Sequence, residues 1–169
     1  MSELHGKLIG ASLGPGDPGL ITRRAWEALH SGARWLYPVK RAGEKSYALS
    51  IAERAGLPIP ADAAELVFPM TRDERVLGAA WARAAERTVD FLAEGRDAVF
   101  LVEGDASTVA TFGHLVRVVR ERLPGARVET LAGVSSFAAA AAIVGAPLVE
   151  EDETLAVVPA TRGIEAMDR

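Results

Sequence analysis

Cysteine is absent from the 169 residues, and histidine occurs only as His5, His30 and His114. Without cysteine there is no disulfide framework, no thiolate metal site and no cysteine nucleophile. Three histidines so far apart in sequence make a histidine metal cluster unexpected, and no metal site is assigned. Positive charge is also short: the formal net charge is -4, so the chain lacks the global basic field of a nucleic-acid binder, and no nucleic-acid partner is expected. Lysine in particular is scarce, with 3 against 16 arginines. Beside 31 alanines, that skew reads first as compositional bias and second as a supply of guanidinium forks for carboxylates. Long apolar runs are missing too. The longest, residues 137–144, is too short to cross a bilayer and mostly alanine. The opening MSELHGKLIG has no basic segment followed by an apolar one, so it is not read as a signal peptide. The expectation is a soluble, cytoplasmic protein with no membrane partner.

What is present is a globular composition, 49% hydrophobic and 25% charged. That suits one compact domain, is too short for two full ones, and excludes a disordered tail. Strand-like and helix-like segments alternate. Strands are expected at 7–11, at 34–37 (stopped by Pro38), at 65–68 (stopped by Pro69), at 97–102, at 127–131 and at 153–159. Between them lie helices. Thr22 caps one with Ala25, Trp26 and Leu29 inward. A second spans 45–55 and ends at Gly56. A third spans about 73–94, opened by Thr71 and Glu74 as a capping box and ended by Gly95. A fourth spans about 108–123 with Phe112, Leu115, Val116 and Val119 inward, and an alanine-rich fifth spans 135–144. Trp26, Trp35 and Trp81 read as core. The alternation predicts an α/β fold, a mostly parallel sheet with helices on both faces.

In such a sheet ligands bind beyond the carboxyl ends of the strands. Three turns fall there: residues 10–22 after the first strand, 103–107 after the fourth and 132–136 after the fifth. Their convergence on one edge carries more weight than any one of them. The first, rich in glycine, has neither the dinucleotide fingerprint nor the Gly-Lys-Ser/Thr end of a P-loop, and no acidic residue closes the second strand to take a ribose. It serves either backbone geometry alone or the close approach of a bulky ligand. In the second, Glu103 and Asp105 flank Gly104. Such carboxylates accept hydrogen bonds from ribose hydroxyls or an amino group, although Asp105 could equally cap the next helix. In the third, Ser135 or Ser136 could cap the alanine-rich helix, whose free N–H groups would also suit a ligand carboxylate. Arg23, Arg24, Arg41 and Arg72 lie near the same edge, where solvated charge competes with binding of a polyanion. His114 reads as a surface or packing residue.

Taken together the three turns resemble the tetrapyrrole methylase family: Gly14-Pro15-Gly16-Asp17-Pro18-Gly19-Leu20-Ile21-Thr22, then Glu103-Gly104-Asp105, then Ala132-Gly133-Val134-Ser135-Ser136, in the family's order across essentially the whole chain. These enzymes move a methyl group from S-adenosylmethionine to a uroporphyrinogen-derived macrocycle. Less general stretches, among them residues 37–40, 43–50, 68–73, 136–141 and 155–159, resemble the branch that methylates precorrin-2 or cobalt-factor II at C(20) in cobalamin synthesis. The resemblance implies two α/β domains with the cofactor folded between them. It implies that Pro15, Glu103, Gly104, Asp105, Thr108, Ser135 and Ser136 line the S-adenosylmethionine site. It implies that residues 14–17 face the macrocycle, with Gly14, Gly16, Arg23 and Arg72 as substrate contacts, and that the protein is a homodimer. Asp17 is the candidate base for the displaced proton. The sulfonium methyl is already electrophilic, so the protein's task is to align two reactants, and no covalent nucleophile is needed.

Two features depart from the family. Ala106 and Val109 stand where a proline and an aromatic are common. Family members also continue for several more strands and helices, so residues 1–131 are expected to form the N-terminal domain and 132–169 the opening of an incomplete second one. An inactive fragment, or a methylase of the same family acting on uroporphyrinogen-III or another precorrin, is therefore the competing expectation, and the missing fingerprint disfavours a dehydrogenase-like nucleotide-binding domain.

Overall fold

A computed structural model describes residues 5–158. Five strands, β1 (Lys7–Ser12), β2 (Arg34–Val39), β3 (Ala64–Val67), β4 (Ala98–Val102) and β5 (Arg127–Leu131), form one sheet. All neighbours pair in parallel, in the order β3-β2-β4-β1-β5. The α/β expectation holds. β4 is central and every one of its residues is buried, as a strand covered on both faces must be.

The helices are α1 (Arg23–Leu29), α2 (Tyr47–Arg54), α3 (Glu74–Ala93), α4 (Thr111–Arg122) and α5 (Ser136–Val144). The two-residue period of the strands divides their side chains between two cores. Leu8, Leu36, Ala98 and Phe100 pack with α3 and α4. Ile9, Trp35, Val99 and Leu101 pack with α1 and α2. The α2 end is a Schellman motif: Gly56 N–H bonds the Glu53 carbonyl, Leu57 N–H bonds the Ala52 carbonyl, and Leu57 is buried against the core. Gly56 carries the positive φ of 77° that the motif needs. Among the described residues no helix is long and apolar enough to cross a membrane.

Several expectations need correction. β2 does not stop at Pro38 but runs to Val39. The Val39 carbonyl accepts from Phe68 N–H at 2.8 Å, so the proline nitrogen turns to the β4 side, where the ladder has already ended at Leu36 opposite Phe100. No N–H is needed there. The cap of α3 is Asp73, not Thr71. The Asp73 carboxylate accepts from Arg75 and Val76 N–H, and the Thr71 hydroxyl instead accepts from Asp73 N–H. Trp26 is 39% exposed and is not core, whereas Trp35 is buried and Trp81 half-buried. α4 starts at Thr111 rather than 108, because Val109 has a φ of 38°, outside the helical range. Residues 153–158 form no strand. An apolar segment becomes a strand only against a pairing neighbour, and they have none among the described residues. Pro159 lies outside those residues.

The chain divides into two compact units, residues 1–135 and 136–169. In the second, α5 is followed by Gly145 at φ 73° and a turn in which Glu153 N–H bonds the Glu150 carbonyl.

Candidate functional site

β4, β1 and β5 are neighbours in the sheet, so the turns after them emerge side by side. They are stitched together. Gly14 and Gly104 exchange backbone hydrogen bonds, Gly104 N–H to Gly14 O at 2.8 Å and Gly14 N–H to Gly104 O at 3.2 Å. Both glycines sit at positive φ, 75° and 74°. The fully buried Ser12, last residue of β1, ties all three turns. Its hydroxyl donates to the Leu131 carbonyl at the end of β5 and accepts from Ala106 N–H at 2.8 Å. Gly133 passes over it so closely that a Cβ there would lie 2.2 Å from Ser12 Cβ and 2.9 Å from the Gly104 carbonyl oxygen. The Thr22 hydroxyl accepts from Ala25 N–H as the α1 cap and also reaches the Ala132 carbonyl at 3.4 Å.

Asp105 is the second clasp. Oδ1 accepts from Ser107 N–H at 3.1 Å and Gly133 N–H at 3.4 Å; Oδ2 accepts from the Ser107 hydroxyl at 2.8 Å and the Thr108 hydroxyl at 3.1 Å. Partial burial alone would push its carboxyl up, but these four donors outweigh it and hold the group below the usual carboxylate range. Asp105 does not cap α4, whose first-turn cap is Ala110 with no side-chain bond. Its lone pairs are spent inside the chain, so it orders the turn for any ligand. Glu103 is the exposed carboxylate. A Cβ on Gly104 would meet nothing within 4 Å, which leaves the outer face of this turn open.

The strand order creates a second feature at the same edge. From β2 the chain goes on to β3, and from β4 it goes on to β5, on opposite sides. Connections that part in this way leave a crevice between the two strand ends. A cleft of about 470 Å³ lies there, walled by Val39, Phe68, Met70, Tyr47, Trp81 and Glu103 among others.

The family model for tetrapyrrole (corrin/porphyrin) methylases matches residues 7–169, a span that includes all three turns. The chain belongs to the tetrapyrrole methylase family. It is 34% identical over 167 residues to a Methanocaldococcus jannaschii protein named "Probable cobalt-precorrin-2 C(20)-methyltransferase", covering 98% of this chain and 69% of that one. It is 33% identical to the precorrin-2 C(20)-methyltransferase of Sinorhizobium, covering 92% of this chain and 65% of that one. Among solved structures, the Thermus thermophilus uroporphyrin-III C-methyl transferase complexed with S-adenosyl homocysteine is 22% identical with a TM-score of 0.56. That match covers 87% of this chain and 51% of the Thermus chain, and is a likeness of fold. The chain thus spans about two thirds of the length of these two relatives and about half of the solved structure.

The remaining candidates differ in exposure and in what they bond. Gly14 and Gly16 are buried and Pro15 half-buried. Asp17 is exposed; its Oδ1 accepts from Gly19 N–H at 2.8 Å and so caps the single 3-10 turn Pro18–Leu20. Thr108 and Ser135 are half-buried within the first unit, while Ser136 is the first residue of α5 in the second. Arg23 pairs with Glu27 at 2.8 Å, and Arg72 is exposed in the loop after β3. Ser12 escaped the sequence reading. The only signal for it was a hydroxyl closing an otherwise apolar strand just before a glycine-rich turn. The cleft lined by Tyr47, Phe68 and Trp81 escaped too, since its residues come from four separate segments.

Proposed function

We propose that the protein is an S-adenosylmethionine-dependent C-methyltransferase of cobalamin biosynthesis. Its substrate on this reading is precorrin-2 or the cobalt-bearing counterpart, cobalt-factor II, methylated at C(20). The observation that carries this is the stitched trio of turns at the ends of β4, β1 and β5, in a chain of the methylase family with C(20)-methyltransferases among its relatives.

The residues fit the cofactor. The outer face of Gly104 is open, Gly133 has no room for a side chain of its own, and Glu103 is an exposed carboxylate beside the ordered Asp105 turn. Pro15, Glu103, Gly104, Asp105, Thr108, Ser135 and Ser136 would hold it. When bound, S-adenosylmethionine supplies an electrophilic methyl group on a positively charged sulfur. Glu103 and the ionised Asp105 offset that positive charge, and Asp105 does so while fixing the backbone around it. The Gly14–Asp17 turn, pinned to Gly104, holds the macrocycle in register, with Arg23 and Arg72 toward its acidic arms. Aligning two reactants in this way is a large rate term. Asp17 has only one oxygen engaged by the cap, so Oδ2 receives the proton displaced from the ring carbon.

The domain reading belongs to the same proposal: an N-terminal α/β domain to about residue 131, then the start of a second, in a cytoplasmic homodimer. Calorimetry with S-adenosylhomocysteine on the full-length protein tests the cofactor, and anaerobic incubation with S-adenosylmethionine and precorrin-2 followed by mass spectrometry tests the transfer. Binding and one added methyl are expected; no heat of binding at millimolar ligand would sink the proposal.

A further inference from the structure

We propose that the crevice between the ends of β2 and β4 seats the carboxylate-bearing rim of the tetrapyrrole. Lys40 and Lys45 are its anion contacts, and the Phe68–Trp81 pair is the wall against which the ring lies. The inference rests on the methyltransferase reading and adds the residues that recognise the macrocycle.

The distribution of lysine is the first argument. The chain has three lysines. Lys7 is spent on Glu129 at 2.6 Å. The other two, Lys40 and Lys45, line this one crevice, exposed and in no ion pair among the described residues. Arginine, five times commoner, contributes nothing to the lining among the described residues. A flexible ammonium with three donors can follow a mobile carboxylate arm, where a guanidinium fork demands one geometry.

The wall is the second argument. Phe68 and Trp81 lie with ring centroids 4.5 Å apart and continue into the core through Phe100. Met70 stands 82% exposed beside them. A soft, polarizable side chain left in water next to an aromatic pair suits a large flat π-surface.

The third argument is the order of charges and the position. Glu44 and Glu103 also line the crevice. Glu103 belongs to the turn after β4, while both lysines and Glu44 belong to the β2–α2 connection, where two ammonium groups outnumber one carboxylate. Carboxylate arms are accepted on the lysine side and repelled from Glu103, which orients the ring instead of merely attracting it. Tyr47 joins the crevice to the glycine-rich turn. It lines the crevice, and its hydroxyl sits so close to Gly16 that a Cβ there would fall 2.7 Å away. A ring held here has its edge beside Gly14–Asp17.

The test is amine acetylation of the full-length protein, read residue by residue by mass spectrometry, with and without uroporphyrin III, a stable carboxylated tetrapyrrole. Lys7 is the internal control. Uroporphyrin is expected to protect Lys40 and Lys45 and leave Lys7 unchanged. The Lys40→Ala/Lys45→Ala protein is expected to lose roughly tenfold in uroporphyrin affinity, the equivalent of one charge-assisted hydrogen bond, with S-adenosylhomocysteine binding unchanged and partial recovery in Lys40→Arg/Lys45→Arg. Equal acetylation with and without uroporphyrin, or undiminished uroporphyrin binding by the double alanine variant, overturns the proposal. The two failures separate. Absence of S-adenosylhomocysteine binding by the native protein sinks the methyltransferase reading whatever the lysines do. Unprotected lysines in a protein that binds it sink the crevice alone.

Discussion

At the scale of single residues, the site depends on two polar side chains whose work is internal. Ser12 Oγ serves one buried acceptor and one buried donor, on two different turns. Ser12→Ala leaves the Leu131 carbonyl and the Ala106 N–H without that partner, which costs about 1–3 kcal/mol. Urea unfolding should show that loss, and calorimetry should show weakened S-adenosylhomocysteine binding, because the turns come apart together. An unchanged midpoint would mean water replaces the hydroxyl at no cost. Asp105 predicts a pH dependence. Its folded-state pKa lies below the unfolded value, so its contribution is fully present above the ordinary carboxylate pKa of about 4 and is lost as pH falls through the folded value. Asp62 and Glu129, held low chiefly by hydrogen bonds from Arg96 and Lys7, add to the same acid lability. The informative quantity is therefore a difference. Native protein should lose stability on acidification below about pH 4 more steeply than Asp105→Asn, measured by urea unfolding at a series of pH values. Parallel curves would remove Asp105 from the account.

At the scale of elements, capping decides the start of α3. The Asp73 carboxylate reaches two of the first-turn N–H groups, while the Thr71 hydroxyl reaches only Asp73 N–H. Asp73→Ala should cost about 1 kcal/mol and Thr71→Ala much less, compared as urea midpoints at constant m. The reverse ranking would restore the capping box read from the sequence. This helix also shows what a sequence can carry. The apolar period of α3, the all-buried β4 and the three ligand-edge turns were legible, because each is written in neighbouring residues: a spacing, a run of branched side chains, a glycine between carboxylates. Pro38 was misread because a proline ends a strand only where the ladder needs an N–H donor at its position, and that depends on where the β4 ladder stops. Trp26 was misread because a tryptophan can extend a helix face past the rim of the core. Ser12 and the Lys40–Trp81 crevice are products of topology, and no local pattern encodes them.

At the scale of the whole molecule, the two cores determine what can stand alone. Their buried members run from Leu8 to Leu131, and no residue described in 136–158 is buried. Each core is closed by elements of the first unit: α3 and α4 over one face of the sheet, α1 and α2 over the other. Every stitch named among the three turns, from Ser12, Asp105 and Thr22 to the Gly14–Gly104 exchange, also lies within that unit. Among the described residues, nothing named as building the sheet or ordering the turns lies beyond Ser135. A protein ending at Ser135 should fold by itself, with a single cooperative transition and a near-native far-ultraviolet spectrum. Thermal and urea unfolding of residues 1–135 beside the 169-residue chain checks this. A broad, non-cooperative melt would show that the parallel sheet leans on residues after Ser135. A cooperative melt would make the first unit the folding module that carries the three stitched turns.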